Sequence, residues 1–176
     1  MSELFWVNLF HQFAVGLSVG SSTFALVFYY YVVAAGETLP EQRKFMHIVY
    51  FVLRIGMMLI VLSEFAIFLY SYHINNYLYW MANPEVLMRL TLFTVIVINA
   101  LLMHKRLISM WIGPVIAGGS WYAFFFFSVF VDIRWVELGF NYVTLLSGYL
   151  LWLLLLGIFL SALRLYLTRA QRLNEA

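Results

Sequence analysis

Five long apolar runs, each separated from the next by a short polar break, organise the chain. The first covers residues 4–33 and ends at the stretch Gly36-Glu37-Thr38-Leu39-Pro40-Glu41-Gln42-Arg43-Lys44. The second covers 45–70, and the longest break follows it, from His73 to Glu85, with Asn75, Asn76, Asn83 and Pro84. The third, 86–103, ends at His104-Lys105-Arg106; the fourth is 108–131, stopping at Asp132, and the fifth is 138–167. As helices rising 1.5 Å per residue, all five are long enough for a hydrocarbon core of about 30 Å, the third barely and the first and fifth with tilt or overhang to spare. None alternates polar and apolar residues with period two, and all are too long for barrel strands. The pattern predicts an all-α integral membrane protein, a five-transmembrane-helix bundle forming a single domain over 1–176. There is no internal repeat or inverted symmetry of halves, which disfavours a repeat-built transporter.

Composition reinforces this. With 65% hydrophobic and only 10% charged residues and a mean hydropathy of +0.92, a water-soluble domain of 176 residues has no way to hide its apolar surface. A bilayer removes the difficulty, since lipid-facing Leu, Phe and Val need no burial against protein. The absence of cysteine excludes disulfides, thiolate metal sites and cysteine nucleophiles. The first run lacks a basic leader and a small-residue cleavage site, so it is expected to be a retained span.

Charge changes the picture by giving it a direction. Arg43, Lys44, Lys105, Arg106, Arg164, Arg169 and Arg172 fall on one side of the predicted bundle, and only Arg89 and Arg134 on the other. By the positive-inside rule the richer side is cytoplasmic, giving an N-out/C-in topology. Glu3, Glu85, Asp132 and Glu137 then fall outside, while Trp6, Trp80, Trp111 and Trp135 lie near span ends, at the headgroup level that suits their rings. Because the cations sit at span ends and not in an accessible stripe, no nucleic-acid partner is expected. The bilayer is the partner, and a cell membrane, the bacterial inner membrane first, is the expected location.

Span one carries Gly16-Leu17-Ser18-Val19-Gly20-Ser21-Ser22, with Gly16 and Gly20 one turn apart, and span four carries Gly113, Pro114, Gly118, Gly119 and Ser120. Small residues let helices approach closely in lipid. Packing within the bundle is the first expectation for them; a homo-oligomer face or a membrane-protein partner docked on Gly16 and Gly20 is the other.

Candidate chemistry rests on the few polar residues inside the runs: His11, Arg54, Glu64 and Asn99, with His47 and His104 near the ends. A charge at mid-membrane costs about 2.5 to 3.5 kcal/mol on insertion scales, so each is a functional candidate. His11 and Glu64 are expected at one depth on neighbouring spans, as a His–carboxylate pair able to relay protons, hold a metal ion or orient an imidazole towards a cofactor. A structural hydrogen bond pinning two helices is the alternative. Arg54 and Glu64 lie ten positions apart, about 15 Å along the axis, so each needs another partner; water, a carbonyl or Asn99 are the options for Arg54. His47 and His104, flanked by Lys44 and Lys105, are candidates for a bis-histidine haem site or for copper or zinc, with a plain interfacial role as the alternative. No Ser-His-Asp spacing, HExxH motif or phosphate-binding glycine loop is present.

Four stretches carry a resemblance: His11-Gln12-Phe13-Ala14-Val15-Gly16-Leu17-Ser18-Val19-Gly20, Met46-His47, Asn99-Ala100-Leu101-Leu102 and Gly118-Gly119-Ser120-Trp121-Tyr122. Together they resemble a group of small bacterial membrane proteins similar to the copper-resistance D-type and related haem-associated families. The resemblance implies a compact bundle, a first-span histidine at a functional place, and metal or haem chemistry. The expected function is thus handling of a metal ion or haem (haem b or copper), or relay of protons or electrons, with His11 and Glu64 as metal ligands and His47, His104 and Arg54 as cofactor residues. The alternatives are a non-catalytic membrane subunit or assembly partner, and a small permease lined by Glu64 and Arg54.

Overall fold

The computed structural model describes residues 3–35, 40–74, 83–109, 112–130, 135 and 137–174. Predicted features at Asn75, Asn76, Trp80, Trp111, Asp132 and Arg134 lie outside them. Among the described residues there are five helices and no strand: α1 (Glu3–Ala35), α2 (Pro40–Ile74), α3 (Pro84–His104), α4 (Ile112–Val129) and α5 (Tyr142–Asn174). All five are long and apolar enough to cross a membrane. The helices outrun the apolar runs at several ends. α2 begins at Pro40, where a missing N–H costs nothing, and its helix takes in Glu41 and Lys44. Hydropathy marks the slab a helix crosses, and polar residues of good helix propensity carry it further.

Local chemistry sets the boundaries of α3. The Asn83 side chain accepts from Glu85 N at 3.1 Å, and Pro84 occupies the first turn. At the other end Arg106 takes a left-handed conformation (φ 57°) while Leu107 N donates to the Leu102 carbonyl at 2.9 Å. The chain then turns into α4, where Ile112 N donates to Ser109 Oγ at 3.2 Å.

α1 is the hub: α2 lies along one side of it and α4 and α5 along the other, and α3 closes the bundle against α4 and α5. Among the described residues, the α2 backbone comes within 8 Å (Cα–Cα) of α1 and of no other helix. Ala14, Val15, Ile60, Met88, Leu92, Trp121 and Phe124 form the buried centre. Large apolar side chains such as Phe51, Met58, Leu62, Leu151 and Phe159 point outwards, which hydrocarbon accommodates and water does not.

The close approach of α1 and α2 falls elsewhere than the sequence suggested. A Cβ on Gly16 or Gly20 would meet nothing within 4 Å, so neither glycine packs a helix. A Cβ on Gly56 of α2 would collide with Ser18 Oγ, and there the two helices touch. In α4 the expectation holds: Gly113 abuts the Met103 side chain, and Gly119 abuts Leu153 and accepts a 3.0 Å hydrogen bond from Trp152 Nε1.

Candidate functional site

α1 and α2 run antiparallel, so positions early in one meet positions late in the other. His11 lies eight residues into α1, about 12 Å along the axis, and Glu64 ten residues before the end of α2, about 15 Å. On α2, Ile60, Ser63 and Glu64 share a face by their three- and four-residue spacing. That face meets His11. The imidazole is 2% exposed; its Nδ1 is 2.9 Å from Ser63 Oγ and its Nε2 is 3.8 Å from Glu64 Oε1. The expected meeting of His11 with Glu64 is therefore present.

A third residue completes the cluster. Arg89, five residues into α3, reaches across to place Nη1 3.4 Å from the same Glu64 Oε1. It is 7% exposed, whereas the Glu64 side chain keeps 27% of its surface. By its place near a span end Arg89 reads as a topological cation, although the apolar run 86–103 encloses it. That position, with an unpartnered carboxylate on the neighbouring span, was the available signal. Ser63 carried none.

Ser63 Oγ lies 2.9 Å from the Ile60 carbonyl and 2.9 Å from His11 Nδ1. When the hydroxyl proton goes to the carbonyl, Oγ accepts from Nδ1–H and Nε2 faces the carboxylate without a proton; when it goes to Nδ1, Nε2 carries the proton. Nε2 has no hydrogen-bond partner, and neither does Arg89 Nε; both are fully buried atoms.

Beside the cluster, α2 and α3 stand apart and leave a cleft of about 360 Å³. Glu64, Phe65 and Phe68 line it from α2, Arg89, Leu90 and Phe93 from α3, and Phe124 of α4 forms part of its wall. The Phe124 ring lies 6.3 Å from the His11 ring.

The remaining candidates stay apart from this centre. Arg54 and His47 are exposed on α2, around a shallow hollow with Ile48, Tyr50 and Phe51, so Arg54 and Glu64 do not share a path. Asn99 is not a partner of Arg54: its amide donates to the Gly113 carbonyl at 2.9 Å, joining α3 to α4. His104 is exposed at the end of α3, a helix whose backbone α2 nowhere approaches within 8 Å among the described residues, so nothing brings it to His47.

Haem and copper do not fit these residues. The two histidines meant to face one another across a haem project from separate, exposed positions. At the buried centre, His11 and Glu64 offer two donors, and the Arg89 guanidinium already lies against the carboxylate that a cation would need. Among the described residues no group of three or more His, Cys, Asp or Glu is placed to hold a metal ion.

The fold and centre define a five-helix protein of membrane-spanning dimensions with a buried His–Glu–Arg cluster beside a lateral cleft. No protein family, curated protein or solved structure matches the chain.

Proposed function

We propose that the protein exchanges protons inside the membrane, with His11 Nε2 and Glu64 as the exchanging groups and Arg89 as the cation that holds the carboxylate. One observation carries this: a buried imidazole anchored through Nδ1 turns an unpartnered Nε2 to a carboxylate 3.8 Å away. With the proton on neither group, two acceptors oppose one another; a proton on either converts the pair into donor and acceptor. The pair thus has two protonation states related by a short movement, and Glu64, the less buried partner, opens it to the cleft. On the basic asymmetry of the chain the centre lies in the outer half of a bacterial inner membrane, with the C-terminus in the cytoplasm. Reporter fusions check that orientation: a C-terminal reporter active only outside the cytoplasm overturns it.

Infrared difference spectra of the full chain in nanodiscs, taken across about pH 5 to 8, test the exchange. An imidazole band should change with pH, and Glu64→Gln should shift that change. A protein whose imidazole keeps one protonation state over that range sinks the reading.

A second reading, a non-catalytic subunit docked on a membrane partner, draws on the open Gly16–Gly20 face of α1. Stable co-purification with another membrane protein, lost on Gly16→Leu, is its test.

A further inference from the structure

The cleft between α2 and α3 is a site in its own right, and we propose that it holds the head of a neutral, membrane-dissolved quinone. The inference rests on the proton-exchange reading in one respect: it names a neutral molecule that would sit in the cleft beside the exchanging groups. Four observations narrow the occupant. First, the cleft opens sideways between two helices whose backbones stay more than 8 Å apart, so a ligand enters from lipid. Second, its volume of about 360 Å³ suits a single ring with substituents, at the lower end of the range of about 300–1,000 Å³ for small-molecule sites.

Third, the walls are apolar and aromatic, with Phe65, Phe93 and Phe124 offering faces and edges to a flat ring. Fourth, the polar groups at its inner side are incomplete in a particular way. Arg89 is 7% exposed, lines the cleft, and has an Nε–H with no acceptor. Glu64 lines it too and has capacity to accept beyond its contact with Arg89. A quinone carbonyl oxygen at the cleft wall can accept from the Arg89 guanidinium with no change in the ring's oxidation state.

Charge excludes the commonest lipid. Arg89 and Glu64 neutralise one another, so an anionic phosphate gains little from the guanidinium and meets the carboxylate. The cluster also lies about 12 Å along the helices, below the level where phospholipid headgroups stay hydrated. A quinone head is uncharged and travels at that depth, and its tail remains in the bilayer.

The test titrates a short-tailed ubiquinone analogue into the full chain in phosphatidylcholine nanodiscs, reading the quenching of tryptophan fluorescence. Trp121 lies 6.2 Å, ring to ring, from Phe124. Saturable binding near one quinone per chain is expected. Leu90→Phe fills the cleft from a lipid-exposed position, and Arg89→Lys keeps the cation but removes the Nε donor; each should weaken binding by about tenfold or more without loss of folded protein. Quenching that rises without saturation, saturable binding that both variants leave unchanged, or displacement by phosphatidylglycerol overturns the proposal. The two readings fail separately. Absent quinone binding in a protein whose imidazole still titrates removes only the quinone, and specific quinone binding with no titrating imidazole removes only the proton exchange.

Discussion

Where α1 and α3 meet α4 and α5, polar side chains find one another. Thr23 pairs with the Tyr122 hydroxyl at 2.8 Å, Ser120 with Tyr149 at 2.7 Å and Thr91 with Tyr142 at 2.9 Å, and Tyr30 donates to the Leu160 carbonyl at 3.2 Å. Each of these threonines and serines also donates to, or shares its proton with, the carbonyl one turn back, and the buried atoms left without a partner there, Asn99 Oδ1 and Ser128 Oγ, belong to neutral side chains. Where α1, α2 and α3 meet, the groups are ionisable, two of their buried nitrogens have no partner, and among the described residues the α2 backbone comes within 8 Å of α1 but not of α3, which reaches it through Arg89. The first arrangement fixes helices relative to one another. The second sets ionisable groups beside a cleft, and buried ionisable groups in an apolar bundle are candidates for function.

The comparison can be broken most directly at Arg89. Arg89→Gln strands the Glu64 carboxylate, and should cost about 3 kcal/mol of unfolding free energy in detergent, the low end for a broken buried pair because Glu64 keeps some solvent exposure. Adding Glu64→Gln should recover most of that loss. A single Arg89→Gln variant as stable as the parent would show that the pair is not an ion pair.

The α1–α2 contact sharpens the same contrast. Gly56→Ala sets a methyl group against Ser18 and should destabilise by about 1–3 kcal/mol, partly relieved by Ser18→Ala, whereas Gly16→Ala and Gly20→Ala should leave unfolding unchanged. Thermal unfolding of the four single variants and of the Gly56→Ala/Ser18→Ala pair measures it. Equal effects at Gly16 and Gly56 would contradict the placement of the helix contact.

On the paired side, Tyr149→Phe should lose one interhelical hydrogen bond, about 0.6 and at most about 1.7 kcal/mol, and leave proton exchange intact. The mirror-image experiment is the double-mutant cycle of His11→Ala and Glu64→Gln. His11→Ala should insert and fold with a stability change within that same small range, Glu64→Gln should cost about 3 kcal/mol or more because it strands the buried Arg89 guanidinium, and each should abolish proton exchange. The double variant should be little worse than either, since the two act as one unit. Additive functional losses would mean that His11 and Glu64 work separately.

Part of this centre is legible in the sequence. Counting residues from the ends of two adjacent runs puts His11 and Glu64 at one depth, because a helix converts sequence distance to height at 1.5 Å per residue. The same count does not give azimuth across helices, so it does not decide whether Arg54 meets Asn99 or His47 meets His104. Arg89 was overlooked because a cation near a span end reads as a topological signal, and only the rotation of α3 turns it towards Glu64. Gly16 and Gly20 misled for a related reason: small residues permit close approach but do not compel it, and Gly56 with Ser18 supplied the contact instead.

The sequence by itself determined the five helices and their membrane-crossing length, since in hydrocarbon every backbone N–H and C=O must be bonded within its own segment and apolar run length is then read directly. It determined also which residues would be costly in lipid. Tertiary structure decided which of those costs are offset within the protein. Whether a buried polar atom finds a partner depends on how helices are rotated and spaced about one another, and that is set by side-chain packing between elements distant in sequence. The separation of α2 from α3, which opens the cleft beside Glu64 and Arg89, is written in no single segment of the chain.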